Sequence, residues 1–334
     1  MILSLNCGSS SLKYAVFEGE RRVGGGAVEG IGVPGGHATH GAAVHATLAA
    51  LPPPAAVGHR LVHGGPDLLE PVRIDGAVLA KLRAAVPFAP LHLPAAIGAI
   101  EAVAQRAPGV PQVACFDTSF HRTLPEVARR FPLPERIAAL VVRRDGFHGL
   151  SYEGVVSGMR LPRRTVIAHL GNGASMCALK DGVCIDTTMG LTPAGGFMMG
   201  TRSGDLDPGV IVFLLEKMNR EQIARLVDQE SGLLGVSGTT SDMKALLASD
   251  DPRARLSVEM FCYQAAKAAG ALAAALGGLD ALVFTGGIGE HAAAVRERIC
   301  QRLAHLGAFA IHVLPADEER VIAGHVQALL PGIG

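Results

Sequence analysis

A short strand, a polar turn and a returning strand open this chain, and the same pattern occurs again near its middle. Residues 2–5 are apolar, residues 6–11 are small and polar, and residues 12–18 alternate between apolar and polar side chains as a strand does. Residues 165–179 repeat this order around a glycine-rich turn at 171–175. The repetition predicts two related halves, each built on a β-hairpin with a polar tip.

A further polar glycine turn, at residues 285–290, follows a buried strand predicted at 281–284 and leads into a helix predicted to begin near His291.

Strands and helices alternate, which predicts an α/β or mixed fold with two sheets. Prolines cluster at 119–134, where we place the domain boundary. Helical periodicity is present in the segments 77–86, 93–107, 208–219, 221–230 and 254–276. The segments predicted to be surface connectors are 24–41 and 52–54.

The chain has 334 residues, of which 49% are hydrophobic and only 18% charged, a composition that excludes a disordered protein. Its 30 basic and 30 acidic residues cancel, which argues against nucleic acid or an anionic membrane as a partner. Six scattered cysteines predict neither a zinc site nor disulfides and favour a reducing, cytoplasmic setting. We expect no signal peptide and no membrane span, since Lys267 and several glycines interrupt the most apolar run, residues 265–282.

Polar residues that can carry chemistry stand near the ends of predicted strands in the first half. Residues 6–13 can form an anion nest beside Lys13, or an ordinary polar hairpin tip. Arg60, flanked by histidines and glycines, can be a rigid fork for a carboxylate or phosphate, or part of a structural ion pair. His92 lies between prolines and can be a site residue or an ordinary loop histidine. Asp117 follows an apolar strand and can serve a metal or a base, or cap a turn.

Two segments of the second half add to this set. Residues 146–149 place a histidine between glycines, and residues 186–209 are a long stretch of glycines, threonines and acidic residues. A loop of this length inside a compact domain is usually functional. The sequence combines polar turns suited to phosphate with separated arginines, histidines and carboxylates, and it has no redox motif. This combination indicates phosphoryl transfer with a divalent metal.

Motifs spread along nearly the whole chain resemble those of the acetate kinase family, in the acetate and sugar kinase superfamily. The resemblance implies an α/β fold of two ribonuclease H-like domains, of the type found in actin and sugar kinases, with an active-site cleft between them. It also implies a first domain of residues 1–119 plus 320–334 and a nucleotide-binding domain of residues 120–319. The motifs are, in order, NCGSSSLK (6–13), GHRLVHGG (58–65), APLHLP (89–94), FDTSFH (116–121), GFHG (146–149), HLGNGAS (169–175), MGTRSGDLDPG (199–209) and FTGGIGE (284–290).

By this resemblance the activity is acetate kinase, a reversible in-line phosphoryl transfer between ATP and acetate that gives acetyl phosphate and ADP, with Mg²⁺ or Mn²⁺. A carboxyl group with a pKa of about 4 is ionised at neutral pH, so the attacking oxygen needs no general base. Arg60 and Arg202 would neutralise and orient the anions, and His148 would hydrogen-bond the transferring phosphoryl oxygens. The implied catalytic residues are Arg60, His92, Asp117, His148 and Arg202.

The same resemblance implies the binding residues. Asn6 and Glu318 would organise the metal together with Asp117, with Glu319 as an alternative to its neighbour. Arg60 would hold the acetate carboxylate, and the apolar pocket for the acetate methyl group would consist of Val62, Leu91, Phe147 and Pro193. The nucleotide would be bound by Ser10, Ser11, Lys13, His169, Gly171, Asn172, Gly173, Asp242, Lys244, Gly287, Ile288 and His291.

The chain departs from the family pattern in sequence and in length. It is shorter than typical members, with reduced connectors around residues 24–50, after His148, and between His305 and Pro315. Lysine cannot reproduce a bidentate arginine, so the lysine at position 244 makes nucleotide binding the function that these departures affect most. The positions where the family usually has Arg, Asn, Asn and His are occupied here by Lys244, His291, Asp317 and Tyr152.

Two other functions remain open from the sequence. One is a kinase of the same family acting on propionate, butyrate or another short acid, because one methylene changes discrimination by only about 1–3 kcal/mol. The other is a catalytically weak protein that binds nucleotide or acyl phosphate as a sensor. The resemblance also implies a homodimer, for which residues 254–276 offer an apolar helix.

Overall fold

The computed structural model describes residues 1–8 and 10–333, and the chain folds into two compact units. The first unit comprises Met1–Arg122, Phe147–Gly154 and Asp317–Gly334, and the second comprises Thr123–Gly146 and Val155–Ala316. The predicted domains, 1–119 plus 320–334 and 120–319, differ from these units most clearly at residues 147–154, which join the first unit. Ser9, within the predicted anion nest, lies outside the described residues.

The elements are numbered in chain order. The strands are β1 (Ile2–Cys7), β2 (Ser11–Glu18), β3 (Arg21–Glu29), β4 (Ala56–Leu61), β5 (Val72–Arg73), β6 (Gln112–Phe116), β7 (Arg164–Leu170), β8 (Ala174–Lys180), β9 (Val183–Thr187), β10 (Ala281–Thr285) and β11 (Ala310–Val313). The helices are α1 (His40–Ala50), α2 (Gly76–Ala84), α3 (Leu93–Arg106), α4 (Glu126–Arg129), α5 (Glu135–Ala138), α6 (Gly149–Gly158), α7 (Pro208–Leu215), α8 (Arg220–Gln229), α9 (Gly232–Ser237), α10 (Met243–Leu247), α11 (Pro252–Leu276), α12 (Gly286–His291), α13 (Ala293–Arg302) and α14 (Glu318–Leu329). Short 3₁₀ turns cover Val86–Phe88, Ser119–Thr123 and Ala304–Leu306. None of the helices in the described residues combines the length and the apolar character that crossing a membrane requires.

The two sheets share one strand order. In the first unit β1, β2 and β3 form an antiparallel meander, and β4 and β6 extend it in parallel, which gives the order β3-β2-β1-β4-β6-β5. In the second unit β7, β8 and β9 form the meander, and β10 and β11 extend it in parallel, in the order β11-β10-β7-β8-β9. Each sheet is therefore ribonuclease H-like, and the predicted pair of related halves is confirmed.

Alternate residues of β1 face opposite sides of the first sheet, as the period of a strand requires. Leu3 and Leu5 pack in a buried cluster with Val103 of α3. Ile2 packs in a second cluster with Ile322 of α14. Because both faces are covered by helices, β1 consists of an uninterrupted buried run and not of an alternating pattern.

Helix α11 supplies the core of the second unit. Its buried residues include Phe261, Ala265 and Ala269, and it begins where the side chain of Asp251 accepts a hydrogen bond from the backbone N–H of Arg253 at 2.7 Å. The predicted helix at 254–276 is confirmed. Most of the face that the sequence offered for a dimer is buried within the unit.

The predicted connector at 24–41 is wrong in its first part, because residues 24–29 belong to β3. Strand β3 pairs with β2 along its whole length and is largely exposed. A Cβ at Gly25 would lie 2.7 Å from the carbonyl oxygen of Tyr14, so the close pairing needs glycine there. Glycine has low intrinsic β propensity, which explains why the sequence pattern did not reveal this strand.

Two predicted helix bounds are also wrong. The helix predicted at 208–219 ends at Leu215, because Asn219 forms a capping box with Gln222 and starts α8. The helix predicted to begin near His291 begins earlier, since α12 starts at Gly286 within the predicted turn. A short helix therefore follows β10 directly.

Candidate active site

The carboxyl ends of parallel strands bring several predicted residues together in the first unit. Strand β1 carries Asn6, β4 carries Arg60, and Asp117 directly follows β6. The backbone N–H of Asp117 donates to the carbonyl oxygen of Leu61 at 3.0 Å, which continues the β4–β6 pairing by one residue. Ligand sites of open α/β sheets form at this edge.

Arg60 and Asp117 form a multiply hydrogen-bonded ion pair. Arg60 Nη2 donates to Asp117 Oδ2 at 2.7 Å, and Nε lies 3.2 and 3.1 Å from Oδ1 and Oδ2. Arg60 Nη1 donates to Asn6 Oδ1 at 3.0 Å. The side chains of Arg60 and Asp117 are 16% and 1% exposed, so the pair is fixed in a largely dry environment.

Glu318 reaches this pair from the first turn of α14. Its Oε2 accepts a hydrogen bond from Asn6 Nδ2 at 2.8 Å and lies 3.7 Å from Arg60 Nε. Helix α14 approaches β4 closely because Gly58 has no side chain; a Cβ there would overlap Cγ2 of Ile322. The tertiary packing of α14 therefore completes a cluster that the strand pattern alone does not contain.

Burial and neighbouring charges set the ionisation of this cluster. Burial opposes the charge of Arg60, but the carboxylates of Asp117 and Glu318 outweigh it and raise the pKa of the guanidinium. Burial raises the pKa of Asp117, and the charge of Arg60 opposes that shift. Burial also raises the pKa of the nearby Cys7 to about 12. Burial therefore favours the neutral thiol of Cys7, which is a poor nucleophile.

The same cluster contains oxygen atoms of the kind that a hard cation prefers. No group of three or more His, Cys, Asp or Glu side chains able to hold a metal ion occurs within residues 1–8 and 10–333. Mg²⁺, however, keeps several waters and is usually held by one or two carboxylates together with substrate phosphates. The oxygen-only set of Asn6, Asp117 and Glu318 fits such a partial site. Glu319 Oε1 also accepts from Asn6 Nδ2, at 3.2 Å, but Glu318 is the more buried of the two acids.

The predicted transition-state histidine lies beside Asp117 in the tertiary structure. His148 is buried, with a positive φ of 59°, and the next residue, Gly149, donates its N–H to the carbonyl oxygen of Asp117 at 3.0 Å. A ring nitrogen of His121 is 3.0 Å from the carbonyl oxygen of Phe147. The segment 147–149 is thus fixed against the end of β6.

The apolar residues predicted to enclose the acetate methyl group are not all in one environment. Val62 and Phe147 are buried, and Phe147 stacks edge-on against His63 with ring centroids 5.7 Å apart. Leu91 is 43% exposed and lines a groove of about 820 Å³ together with Ile31 and residues of α1 and α3.

His92 and the hairpin tip complete the predicted residues of the first unit. His92 is half-buried at the N-cap position of α3. Ser10 and Lys13 are exposed, and Ser11 is half-buried at the start of β2. The carbonyl oxygen of Ser11 accepts the N–H of Gly8 at 2.9 Å, which closes the described part of the turn. This backbone N–H is therefore used within the turn.

In the second unit, His169 and Asn172 lie at the corresponding hairpin. His169 pairs in register with Thr285, the last residue of β10, and Gly171 N–H donates to Gly173 O at 3.0 Å to close the turn. Gly200 donates its N–H to the carbonyl oxygen of Asn172 at 2.8 Å. The structure therefore joins the HLGNGAS and MGTRSGDLDPG motifs in one place.

The remaining predicted nucleotide residues lie on short helices of the same unit. Gly287 is exposed and Ile288 half-buried in α12, which ends at His291. A Cβ at Gly287 would meet no atom within 4 Å, so one flank of this helix is open. Asp242 and Lys244 are exposed at the start of α10, where Asp242 Oδ1 accepts the N–H of Lys244 at 3.0 Å. Asp242 therefore acts at least as a helix cap.

Arg202 and Pro193 meet within the second unit. Arg202 Nη1 lies 3.4 Å from the carbonyl oxygen of Pro193. The hydroxyl of Thr201 donates to the carbonyl oxygen of Asp228 at 3.0 Å, which anchors the loop on the end of α8. Burial raises the pKa of the Asp228 carboxyl, and the charge of Arg202 opposes the shift.

Sequence reasoning missed some members of the site. Asp228 stands on a helix without any motif, so nothing in the sequence marks its charge as a neighbour of Arg202. His121 was visible within FDTSFH, but its bond to Phe147 depends on the fold. The roles assigned to individual site residues stay predictions.

Comparisons with known proteins give one consistent result. The family model described as the Acetokinase family matches residues 42–323. An acetate kinase of Rhodopseudomonas palustris (strain ATCC BAA-98 / CGA009) is 49% identical over 310 residues, which cover 83% of this chain and 77% of that protein. An acetate kinase of Nitrobacter hamburgensis is 41% identical over an alignment of 392 residues that covers 98% of this chain and 96% of the relative. That alignment is longer than the 334 residues present here, as reduced connectors require.

A solved structure agrees with the sequence comparisons. The crystal structure of a propionate kinase from Francisella tularensis subsp. tularensis SCHU S4 has a TM-score of 0.91 and 34% sequence identity. The similarity covers 98% of this chain and 99% of that chain. The fold is therefore shared over nearly the whole length of both chains.

Proposed function

This chain belongs to the acetokinase family, and we propose that it is an acetate kinase, which transfers a phosphoryl group reversibly between ATP and acetate. The products in the forward direction are acetyl phosphate and ADP. One observation carries the proposal: in a chain of this family, Arg60 is hydrogen-bonded by Asp117 and Asn6 at the strand ends and lies near Glu318 of α14.

In this reaction the main task of the protein is to bring two anions together. Acetate is ionised at neutral pH, so its oxygen can attack without a base, and the phosphoryl donor is also negative. A fixed arginine lowers the electrostatic cost of that approach and orients a planar carboxylate. Arg60 suits this task because its guanidinium is held in one orientation by Asp117 and Asn6.

We assign further roles to the other residues of each unit. His148 would donate a hydrogen bond to the phosphoryl oxygens as charge develops, with His92 assisting in positioning. Arg202 would stabilise the same negative charge from the loop that also carries Pro193. Asp117 would keep Arg60 oriented and help to organise the metal. Val62, Leu91, Phe147 and Pro193 would form the apolar boundary for the methyl group.

Asn6, Asp117 and Glu318 would hold Mg²⁺, which when bound neutralises part of the phosphate charge. Their oxygen-only donor set suits Mg²⁺, and Mn²⁺ has the same ligand preference. ATP and ADP would bind in the second unit at His169, Asn172 and the glycines of their turn. The hairpin tip with Ser10, Ser11 and Lys13 would support the phosphates, and the open flank of α12 at Gly287 and Ile288 would receive the adenine.

A propionate kinase is the second candidate, since the similar structure from Francisella tularensis is described as one. A pocket that accepts acetate gains or loses only about 1–3 kcal/mol per methylene. The two functions therefore differ in preference and share the same site chemistry.

We also propose that the protein is a homodimer that meets its second copy through α7, and that it works in the cytoplasm. Helix α7 has the sequence PGVIVFLL, and each of its residues is exposed or half-exposed. Val212 and Phe213 are 65% and 60% exposed. A helix that is apolar on all sides is normally buried, so a partner surface is expected here. Phe213→Glu should shift the protein toward the monomer in analytical ultracentrifugation.

The activity is tested by trapping acyl phosphate as hydroxamate, with Mg·ATP and with acetate, propionate and butyrate in parallel. Controls lack the metal or carry Arg202→Ala, which should lower kcat far more than it weakens ADP binding, because the role of Arg202 lies in the transition state. A rate that falls from acetate to butyrate and disappears in the controls supports acetate kinase.

A different order of rates identifies a different short acid as the substrate. If folded protein that binds ADP forms no acyl phosphate with any of the three acids, the result contradicts the kinase proposal and favours a nucleotide or acyl-phosphate sensor.

A further inference from the structure

Asp145 lies between two arginines in the second unit. Its Oδ1 accepts a hydrogen bond from Arg143 Nε at 3.0 Å and lies 3.9 Å from Arg129 Nη2. The Asp145 side chain is 6% exposed, and those of Arg129 and Arg143 are 20% and 26% exposed. One buried carboxylate therefore faces two partly buried cations.

The backbone around Asp145 is tied to the long loop that carries Pro193 and Arg202. The N–H groups of Asp145 and Gly146 both donate to the carbonyl oxygen of Gly190, at 3.1 and 3.2 Å. Two neighbouring amides on one carbonyl fix the direction of the chain at this point. Residues 145 and 146 are thus held by both their side-chain and backbone contacts.

Arg144 reinforces the same junction from the other side. Its Nη1 donates to the carbonyl oxygens of Thr187 and Thr188 at 3.1 and 2.9 Å, and its backbone N–H donates to Arg129 O at 2.7 Å. The segments around residues 129, 144 and 188 are therefore joined in one network.

The residues that follow Asp145 include two with a positive φ angle, a backbone conformation that depends on its surroundings. Gly146 has a φ of +72° and His148 a φ of +59°. A residue with a side chain rarely adopts the left-handed region, and it stays there only when its surroundings fix it. Asp145 is the charged residue that precedes this segment directly.

We propose that Asp145 is a positioning residue of the phosphoryl-transfer reaction, which through Arg143 and Gly190 fixes the backbone from which Phe147 and His148 emerge. The inference rests on the proposed function, since it concerns the placement of His148. It assigns no contact between Asp145 and a substrate.

The charge balance of the cluster supports a role beyond stability. The buried Nε of Arg129 and Nη2 of Arg143 have no hydrogen-bond acceptor in the part of the chain that the structure describes. Burial and the charge of Arg143 lower the pKa of Arg129, and the charges of Asp145 and Glu126 only partly offset this. Buried donors without an acceptor lower stability, and such groups often occur at functional sites.

The test begins with Asp145→Asn in the whole chain, with steady-state kinetics for acetate and Mg·ATP. Displacing a reacting group by about 1 Å costs about 100-fold in rate, so we expect kcat to fall between tenfold and about 100-fold. The KM for ATP and for acetate should change by less than about threefold, because the binding residues are unaltered. An unchanged kcat overturns the proposal.

Asp280→Asn is the matched control. Asp280 also pairs with an arginine of the second unit, with Arg164 Nε donating to Oδ1 at 3.1 Å, but it precedes β10 at the opposite end from the candidate site. This variant should lower the melting temperature and leave kcat unchanged. A loss of kcat equal to that of Asp145→Asn would show that general destabilisation explains both, and would overturn the proposal.

A double variant separates positioning from stability. Arg129→Gln combined with Asp145→Asn returns the net charge of the three residues to its wild-type value and should restore the melting temperature. If Asp145 positions His148, kcat stays low, because Arg143 still lacks its carboxylate. Recovery of kcat together with the melting temperature would show a merely structural role.

Arg143→Lys provides the test if Asp145→Asn does not fold. Lysine keeps the charge but lacks the fixed Nε–H that donates to Asp145 Oδ1. A lower kcat with unchanged KM values supports the proposal, and wild-type kinetics overturn it. If the proposed function itself is wrong, the wild-type protein forms no acyl phosphate. That result is obtained before any variant is measured, so it cannot be confused with failure of the Asp145 proposal.

Discussion

The backbone N–H of Gly149 donates to the carbonyl oxygen of Asp117 at 3.0 Å, and the approach is so close that a Cβ at Gly149 would overlap that oxygen. This contact links the residue after His148 to the residue that holds Arg60. Two sequence motifs far apart in the chain thus share one hydrogen bond.

Gly149→Ala should therefore weaken both stability and activity. The added methyl group would also lie 2.7 Å from Phe120 Cβ, so α6 must move away from the end of β6. Overpacking of this kind costs about 1–3 kcal/mol of unfolding free energy. Urea denaturation and kcat measure the two effects. Gly158→Ala, in the same helix with no atom within 4 Å, is the control and should leave both near wild type.

Arg60→Ala should lower the free energy of unfolding by about 3–5 kcal/mol, because it leaves the buried carboxylate of Asp117 without its partner. The comparison is Arg164→Ala, which breaks a more exposed Arg–Asp pair and should lower the free energy of unfolding far less. Urea midpoints give both values. Similar losses in the two variants would contradict the view that burial makes the Arg60 pair different.

Gly200→Ala should weaken nucleotide binding. A Cβ at this position would overlap Oδ1 of Asn172, so the side chain of Asn172 must leave its place. A loss of about 1–3 kcal/mol in binding free energy corresponds to a loss in ADP affinity of about 5- to 150-fold. Isothermal titration calorimetry with ADP measures it. Wild-type affinity in this variant would argue against a role for Asn172 at the nucleotide.

His59 predicts a specific acid sensitivity. Burial lowers its pKa from 6.5 to about 4, and the hydrogen bond to Gln112 Oε1 at 2.7 Å only partly offsets this. Because the folded-state pKa lies below the unfolded one, the stabilisation is complete above pH 6.5 and is lost as pH falls toward 4. The loss should reach about 3 kcal/mol.

The measurement is the free energy of unfolding between pH 7 and 4, with His59→Gln as the test variant and the exposed His305→Gln as the control. The His59 variant should have a flatter profile over this range. Parallel profiles for His59→Gln and wild type would show that another group causes the acid loss.

Periodicity and turn chemistry in the sequence determined the paired hairpins, α3, α8 and α11, because each is coded by neighbouring residues. They did not determine β3, whose glycines suit a close pairing that only the neighbouring strand makes visible. For the same reason, local residue patterns did not indicate that α7 would be exposed while α11 would be buried.

The residue types of the candidate site were also readable from the sequence, since Arg60, Asp117, His148 and Arg202 stand in distinctive motifs. Only the tertiary structure decided that Glu318 joins Arg60, that Gly149 touches Asp117, and that Asp145 faces two arginines. These contacts join residues brought together by strand pairing and helix packing. Their energies depend on burial and on three-dimensional distance, which the order of residues does not fix.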